Sequence, residues 1–368
     1  MAPPTASDDI APEDVIFDTK RVVPVSVIKL ASEATGLPPQ FVKSERERPT
    51  VAYDDYCREI PVISLKGVET ESRRKGIVAE IGRACAEWGI FQIVDHGVPE
   101  ELMKNLMDKN LAFFKLPQED KLKYATKPEG YPEAFGYATG SHRADDDVLD
   151  WREFMLHSCL PKNVHETAYS FWPKKPEGYR DTLVEYSDKI DGLVTLLLGL
   201  ISESLGLPTD YIKNAVGGED TEQKILFNYY PHCPQPDLTL GHRSHTDFGT
   251  ITLLQQIEVG GLQAYKKETD RWVTVEPISG AFVVNLADQL QILSNGKYRS
   301  VLHQAVVNSN QTRQSIVTFA NPSSMSQMGP VPELLNEANP AKYPSYIFKD
   351  YLRLFRSNVL VVPDGSAG

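Results

Sequence analysis

The stretch "KILFNYYPHCPQPDLTLGHRSHTDFGTITLLQQ", residues 224–256, decides how the chain is read. Its two ends, "KILFNYY" and "GTITLLQQ", are short runs rich in β-branched and aromatic residues, the composition of strands. Between them a Pro-rich turn leads into "GHRSHTDFGT", which sets two histidines, an aspartate and an aromatic ring within a few residues. The same texture continues outward. "RWVTV", "GAFVVNLA", "RSVLHQAVVN" and "RQSIVTFAN" are further runs of this kind, separated by Gly, Pro, Asn and Asp. Many short strands at such spacing predict a closed or double-sheet core such as a jelly roll.

Upstream the pattern is helical. Ile77, Ile81, Ala84, Cys85 and Trp88 recur at helical spacing and stop at Gly89, a residue suited to a helix C-terminus. "IFQIV" then reads as a strand and "DHGVP" as a turn, and Leu102, Leu106, Leu111 and Phe114 mark a second helix ending near Leu116. A third runs from about Arg180 to Leu205, bounded by Gly206 and Pro208. No internal repeat is visible.

Composition narrows the function. A chain of 368 residues, 41% of them hydrophobic, is ample for a large core and excludes a disordered protein. With 38 basic against 50 acidic residues the net charge is -12, which disfavours nucleic acid and leaves a small molecule as the expected partner. The N-terminal "MAPPTASDDIAPEDVIF" has neither a basic nor an apolar signal region, and the most apolar run, Leu193 to Ile201, is too short to span a bilayer. Cys57, Cys85, Cys159 and Cys233 lack metal-type or disulfide spacing and are expected to be structural thiols in a reducing cytoplasm. A monomer is the default expectation.

The chemistry lies in a pattern of spacings. His245 and Asp247, two residues apart, leave the same face of an extended segment. An isolated H-x-D carries little by itself, but His303 in "VLHQAVVN" can return beside it through intervening strands. Two imidazoles and one carboxylate on one face of a metal leave the opposite positions open, the arrangement of non-haem Fe(II) oxygenases. Arg313 and Ser315 alternate on one face of the next strand, reached through the turn "NSNQT" and expected to neighbour that of His303. Arg offers a planar fork of donors that matches a carboxylate. With Asn228 and Tyr230, also two residues apart, they could hold a dicarboxylate with its far end on Arg313. His96, His157 and His165 are expected to be structural, and His232 and His242 not to be ligands.

At this point the sequence resembles the plant-type 2-oxoglutarate- and Fe(II)-dependent dioxygenases. The resemblance runs from "EIPVISL" and "WGIFQIVDHGVP" through "DWREF" and "NYYPHCPQPDLTLG" to "HTD", "GGLQ", "FVVNLADQLQILSNGKYRSVLH" and "RQS". "FVKSERERPTVAY", "EIPVISL" and "DWREF" look most like the flavonoid branch, flavanone 3-hydroxylase and flavone synthase I. The resemblance implies an α+β protein with a double-stranded β-helix (jelly-roll) core flanked by helices. Its expected parts are an N-terminal extension (1–58), a helical region (59–205), the catalytic core (206–335) and a C-terminal helix and tail (336–368). It also implies Fe(II) on His245, Asp247 and His303, and 2-oxoglutarate on Arg313, Ser315, Tyr230 and Asn228. O2 is then the oxidant, ascorbate the assay reductant and a flavanone the substrate.

Two positions depart from the 3-hydroxylase pattern. Phe248 follows H-T-D where Pro is usual, and "NLADQ" replaces "NLGDH" through Ala287 and Gln289. Phe248 therefore joins Phe319 and Asn321, which alternate on the strand of Arg313, and Phe135 and Tyr137, which the resemblance places at the pocket mouth, as expected substrate contacts. Flavonol synthase, anthocyanidin synthase and gibberellin- or ethylene-type oxidases share the ligand pattern, so the ligands alone do not fix the product. A jelly-roll protein that only binds has no need for H-x-D, a distant His and R-x-S together.

Overall fold

The computed structural model describes residues 26–125, 136–140, 148–161 and 168–356. Two sheets carry the fold among them. The larger has eight strands in the order Val62–Ser64, Ile90–Val94, Phe282–Leu286, Ile251–Gln256, Arg313–Asn321, Glu222–Tyr230, Glu153–Leu160, Gly136–Thr139. The smaller has five, in the order Tyr56–Cys57, Arg271–Val275, Leu262–Lys266, His303–Ala305, His242–His245. Strands from before residue 206 lie in both, so the sheets run across the expected boundary between helical region and core.

Alternation along each strand sorts the side chains into two layers. Ile225, Phe227, Leu253, Phe282, Val284 and Ile316 join the core that the helices cover, together with Ile77, Ile81, Leu106, Phe113, Ile190 and Leu197. Their sequence neighbours Leu226, Leu254, Val283 and Val317 turn the other way, into a second cluster with Leu262, Ala264, Val273 and Val275 of the smaller sheet. A sheet covered on both faces reads as continuous apolar runs, which is why "KILFNYY" and "GAFVVNLA" show no polar alternation. Each such fully buried aliphatic or aromatic side chain contributes about 1.5–3 kcal/mol.

The main helices match the spacing that predicts them. Glu71–Glu87, Glu100–Phe114 and Tyr179–Ser204 are the elements, and the first ends where Gly89 adopts φ 69° and its N–H reaches the Ala84 carbonyl at 3.0 Å. One further helix, Phe348–Arg356, lies in the expected C-terminal segment. None of the described helices is long and apolar enough to cross a membrane.

"DWREF" supplies the buried pins of the fold. Asp150, Trp151, Arg152 and Glu153 are all 0% exposed. Asp150 accepts from Lys43 Nζ at 2.7 Å and faces His242 Nδ1 at 3.3 Å, and the Trp151 indole donates to the Pro231 and His232 carbonyls. Glu153 gathers Ser26 Oγ at 2.6 Å, the Ile28 N–H at 3.1 Å, Lys121 Nζ at 2.8 Å and the Tyr137 hydroxyl. Segment 26–42 is thereby tied down: Val27, Ala31, Leu37 and Phe41 pack with Trp151 and Tyr230.

Removing one partner of a buried ion pair leaves the other charge unanswered, at about 3–5 kcal/mol. Glu153→Ala, which strands the 3% exposed Lys121, is expected to lower unfolding stability by that amount in urea titration. Glu153→Leu with Lys121→Met should recover most of it. A loss below about 1 kcal/mol for Glu153→Ala would show the pair to be incidental.

Candidate active site

The register of the smaller sheet sets His303 directly across from His245, as antiparallel partners. Asp247 lies just beyond the end of the His242–His245 strand, in the loop that enters Ile251–Gln256. Its carboxylate comes to 3.7 Å from His245 Nε2 and 3.8 Å from His303 Nε2. One ligand atom from each of the three lies within 4.8 Å of the others.

The backbone fixes both rings. His245 Nδ1 donates to the Arg243 carbonyl at 2.9 Å, and His303 Nδ1 to the Val301 carbonyl at 3.0 Å, which leaves each Nε2 as a lone-pair donor toward Asp247. Burial, and then the neighbouring His303 ring, hold the His245 imidazole well below its usual pKa, so it is neutral as a metal ligand must be. Asp247 Oδ2 is buried with no hydrogen-bond partner. A carboxylate oxygen left unanswered between two imidazole rings fits a divalent cation, and two nitrogens with one carboxylate suit Fe(II). His242 is not among these ligands; its ring stacks on His245 at 4.0 Å and leans on Asp150.

Arg313, Ser315, Asn228 and Tyr230 do come together, but not as neighbours of His303 in one sheet. The turn at 308–312 carries the chain across to the opposite sheet, where Arg313 pairs with Tyr230 and Ser315 with Asn228. The strands of Arg313 and His303 therefore face each other instead of lying side by side. Such crossing is the habit of a jelly roll, and two sheets can enclose a ligand that one cannot. Arg313 is 1% exposed, with its guanidinium 5.0 Å from the Tyr230 ring, Nη2 donating to Gln256 Oε1 at 2.9 Å and Nε without a partner. Burial lowers its pKa, yet a guanidinium stays charged in a protein. A buried cation with no acidic side chain in contact among the described residues fits a ligand carboxylate such as those of 2-oxoglutarate.

The expected substrate contacts divide. Phe248 is partly buried with its ring 5.4 Å from that of Phe355 on the C-terminal helix. Phe319 packs against the cluster between the sheets, on the face that Arg313 shares by alternation. Asn321 is 2% exposed, both its polar side-chain atoms lack partners, and it fills the space a side chain at Gly249 would need. Tyr137 is a correction: it is 0% exposed in the helix-covered core, against Phe113 and Phe114, with its hydroxyl on Glu153. Its ring serves packing, not a pocket mouth. Phe135 and His165 lie outside the described residues. His96, bonded to the Gly280 carbonyl, and His157, held by the Ile225 carbonyl and the Tyr179 hydroxyl, are structural as expected.

Gln289 was legible only as a departure, yet it holds the metal loop. Its Nε2 donates to the Phe248 carbonyl at 3.0 Å, and its Oε1 accepts from the Tyr346 hydroxyl at 2.7 Å. Beside it Asp288 accepts from Tyr351 at 2.8 Å, and burial raises its pKa to about 6.

Fold and site together define a non-haem iron oxygenase that takes a dicarboxylate cosubstrate. Comparison with known proteins agrees. A model of the 2OG-Fe(II) oxygenase superfamily matches residues 221–322, and one described as non-haem dioxygenase in morphine synthesis N-terminal matches residues 60–175. A flavone synthase of Petroselinum crispum is 47% identical over 313 residues, 84% of this chain and 83% of its own. A naringenin,2-oxoglutarate 3-dioxygenase of Matthiola incana is 46% identical over 309 residues, 84% of each chain. The crystal structure of JOX2 in complex with 2OG, Fe and JA is similar with a TM-score of 0.81 at 35% identity, over 91% of this chain and 95% of that one. The chain belongs to the 2OG-Fe(II) oxygenase superfamily and is a 2-oxoglutarate-dependent dioxygenase.

His245→Ala, Asp247→Ala and His303→Ala are each expected to abolish turnover and weaken Mn(II) binding in calorimetry, since a facial site with two ligands loses affinity and geometry. Near-normal metal affinity in any of them would remove that residue from the ligand set. Arg313→Lys should raise the 2-oxoglutarate requirement ten- to a hundred-fold, because a point charge replaces a fork; that corresponds to about 1.5–3 kcal/mol for a charge-assisted contact. An unchanged apparent affinity would move the dicarboxylate elsewhere.

Proposed function

We propose that this dioxygenase oxidises the C ring of flavanones such as naringenin, with C2=C3 desaturation to a flavone as its main outcome. The observation that carries the substrate class is similarity over more than four-fifths of the chain to a flavone synthase and to naringenin 3-dioxygenases. Bound Fe(II), with 2-oxoglutarate and O2, supplies a two-electron oxidation and releases succinate and CO2; ascorbate keeps the metal reduced in assay. Desaturation sends both substrate hydrogens into water, whereas 3-hydroxylation replaces one C3–H with C3–OH. Four unpaired cysteines, three of them buried, accord with a cytoplasmic location.

In this reading His245, Asp247 and His303 hold the metal, while Arg313, Ser315, Tyr230 and Asn228 fix 2-oxoglutarate. The protein's remaining task is to aim the substrate, and a displacement on the order of 1 Å is enough to change which hydrogen reacts. Phe248 supports the choice of desaturation. It stands beside a metal ligand, its carbonyl is held by Gln289, and its ring is backed by Phe355. A residue held at its backbone by Gln289 and at its ring by Phe355 can keep the C ring where hydroxyl delivery to C3 is disfavoured.

Relatives named naringenin,2-oxoglutarate 3-dioxygenase and flavanone 3-dioxygenase keep flavanone 3-hydroxylation as the second reading. Incubating the protein with naringenin, Fe(II), ascorbate and 2-oxoglutarate separates the two by product mass. Phe248→Pro removes the aromatic surface and fixes φ, so it should raise the dihydroflavonol-to-flavone ratio at comparable 2-oxoglutarate consumption. Dihydroflavonol as the main wild-type product would make 3-hydroxylase the better assignment. An unaltered ratio in the variant would reduce Phe248 to a packing residue.

A further inference from the structure

Among the described residues four cations are no more than 2% exposed, and their partners differ in kind. Lys43 is answered by Asp150 and Lys121 by Glu153, both in direct contact. Arg313 has no carboxylate in contact among the described residues, which the proposed cosubstrate site explains. Arg152 is the fourth. It is 0% exposed, and among the described residues no acidic side chain is in direct contact with it; the buried Asp150, which feels its charge, is bonded to Lys43 instead. Its Nε donates to the Gly140 carbonyl at 3.3 Å and its Nη1 to Asn228 Oδ1 at 2.9 Å, while Nη2 is buried with no partner. Leaving a charged donor buried and unpaired is costly, so a chain that keeps one has a use for it.

The surroundings say what that use is. Alternation along the strand that begins at Glu153 puts Arg152 on the face of Phe154, whose ring lies 4.9 Å from the guanidinium carbon and belongs to the cluster between the sheets. Arg152 thus faces the enclosed space that also holds Phe319, Asn228 and Ser315. Asn228 separates the two free cations: one side-chain end accepts from Arg152, the other lies 3.5 Å from Ser315 Oγ beside Arg313. The guanidinium therefore stands on the far side of Asn228 from the cosubstrate's arginine.

We propose that Arg152 is a substrate-binding residue, whose free guanidinium edge takes an electron-rich oxygen of the aromatic substrate. The oxygen is either the ring carbonyl or an ionised phenol, both of which accept a charge-assisted hydrogen bond. The contact would anchor one end of the substrate while Phe248 and Phe319 shape the rest of its path. This rests on the flavanone reading above, and the experiment separates the two.

The test measures naringenin binding by calorimetry on the Mn(II)–2-oxoglutarate protein without O2, so that no turnover intervenes. Arg152→Gln should weaken naringenin at least tenfold, leave 2-oxoglutarate affinity within threefold and raise the succinate formed per oxidised flavanone. Arg152→Lys, which keeps the charge, should recover part of the loss. Wild-type protein offers a check that needs no variant: the flavan lacking the carbonyl and the 7-O-methyl ether of naringenin are compared with naringenin itself. The one that binds at least tenfold more weakly identifies the oxygen.

Equal binding of all three compounds, or unchanged naringenin affinity in Arg152→Gln, would overturn the proposal. An equal fall in 2-oxoglutarate affinity would assign the free edge to the cosubstrate and overturn it as well. A wild-type protein that binds no flavanone defeats the flavanone reading itself, an outcome distinct from a variant that binds like wild type.

Discussion

The register that sets His303 opposite His245 is the constraint on which the rest of the site depends. A strand's side chains change face at every residue, so a slip of one position would send one imidazole outward and leave Asp247 with a single partner. The register is held from both sides. His303–Ala305 is bonded to Leu262–Lys266 on its other edge, and the Gly241 N–H takes the Ala305 carbonyl at 2.8 Å. The adjoining irregularity between His303 and Ala305 is the kind of local bend by which a sheet re-aims one residue. Behind His245, the stacked His242 ring and the buried Asp150 extend the support to Lys43, in a segment far away in sequence.

What could be read in advance follows from what each element asks of its residues. Strands covered on both faces announce themselves, and Glu222–Tyr230, Ile251–Gln256 and Arg313–Asn321 were visible as apolar runs. Glu153–Leu160 was not, because "EFMLHSCL" carries Glu, His and Ser into the interior. Those groups are tolerated only because tertiary partners answer them: His157 by the Ile225 carbonyl and the Tyr179 hydroxyl, and Glu153 by its four donors. His242–His245 has no β-branched residue and is extended through its pairing alone. The grouping of His245, Asp247 and His303 needed only spacing, so it was legible; the placement of Arg313 across from His303 needed the sheet crossing, which no local pattern encodes.

The buried charges divide the molecule into parts that hold it and parts that work. A buried pair such as Lys121 and Glu153 gives modest net stability but a large penalty for any arrangement that separates its members, so it fixes where segment 26–28 and the strands must sit. An unanswered charge has the opposite meaning. Arg152 Nη2, Arg313 Nε and Asp247 Oδ2 are buried with no hydrogen-bond partner, which costs stability in the protein alone and which a bound ligand would offset. These groups lie in the space between the sheets, around Asn228, Ser315 and Tyr230.

The two departures around the metal loop prove to be one physical unit. Phe248 and Gln289 stand 41 residues apart, yet the Gln289 amide holds the Phe248 carbonyl. The same amide reaches Tyr346, and Phe355 of the following helix closes on the Phe248 ring. A change at either position therefore alters the support of the other, so their effects should not add. Asp288, next to Gln289, ties Tyr351 of that helix to the same loop and takes its N–H bond to the Asp247 carbonyl. The aim of the Asp247 carboxylate is thus coupled through Gln289 and Asp288 to the C-terminal helix, so residues a hundred positions on in the chain help to set the geometry of the candidate metal site.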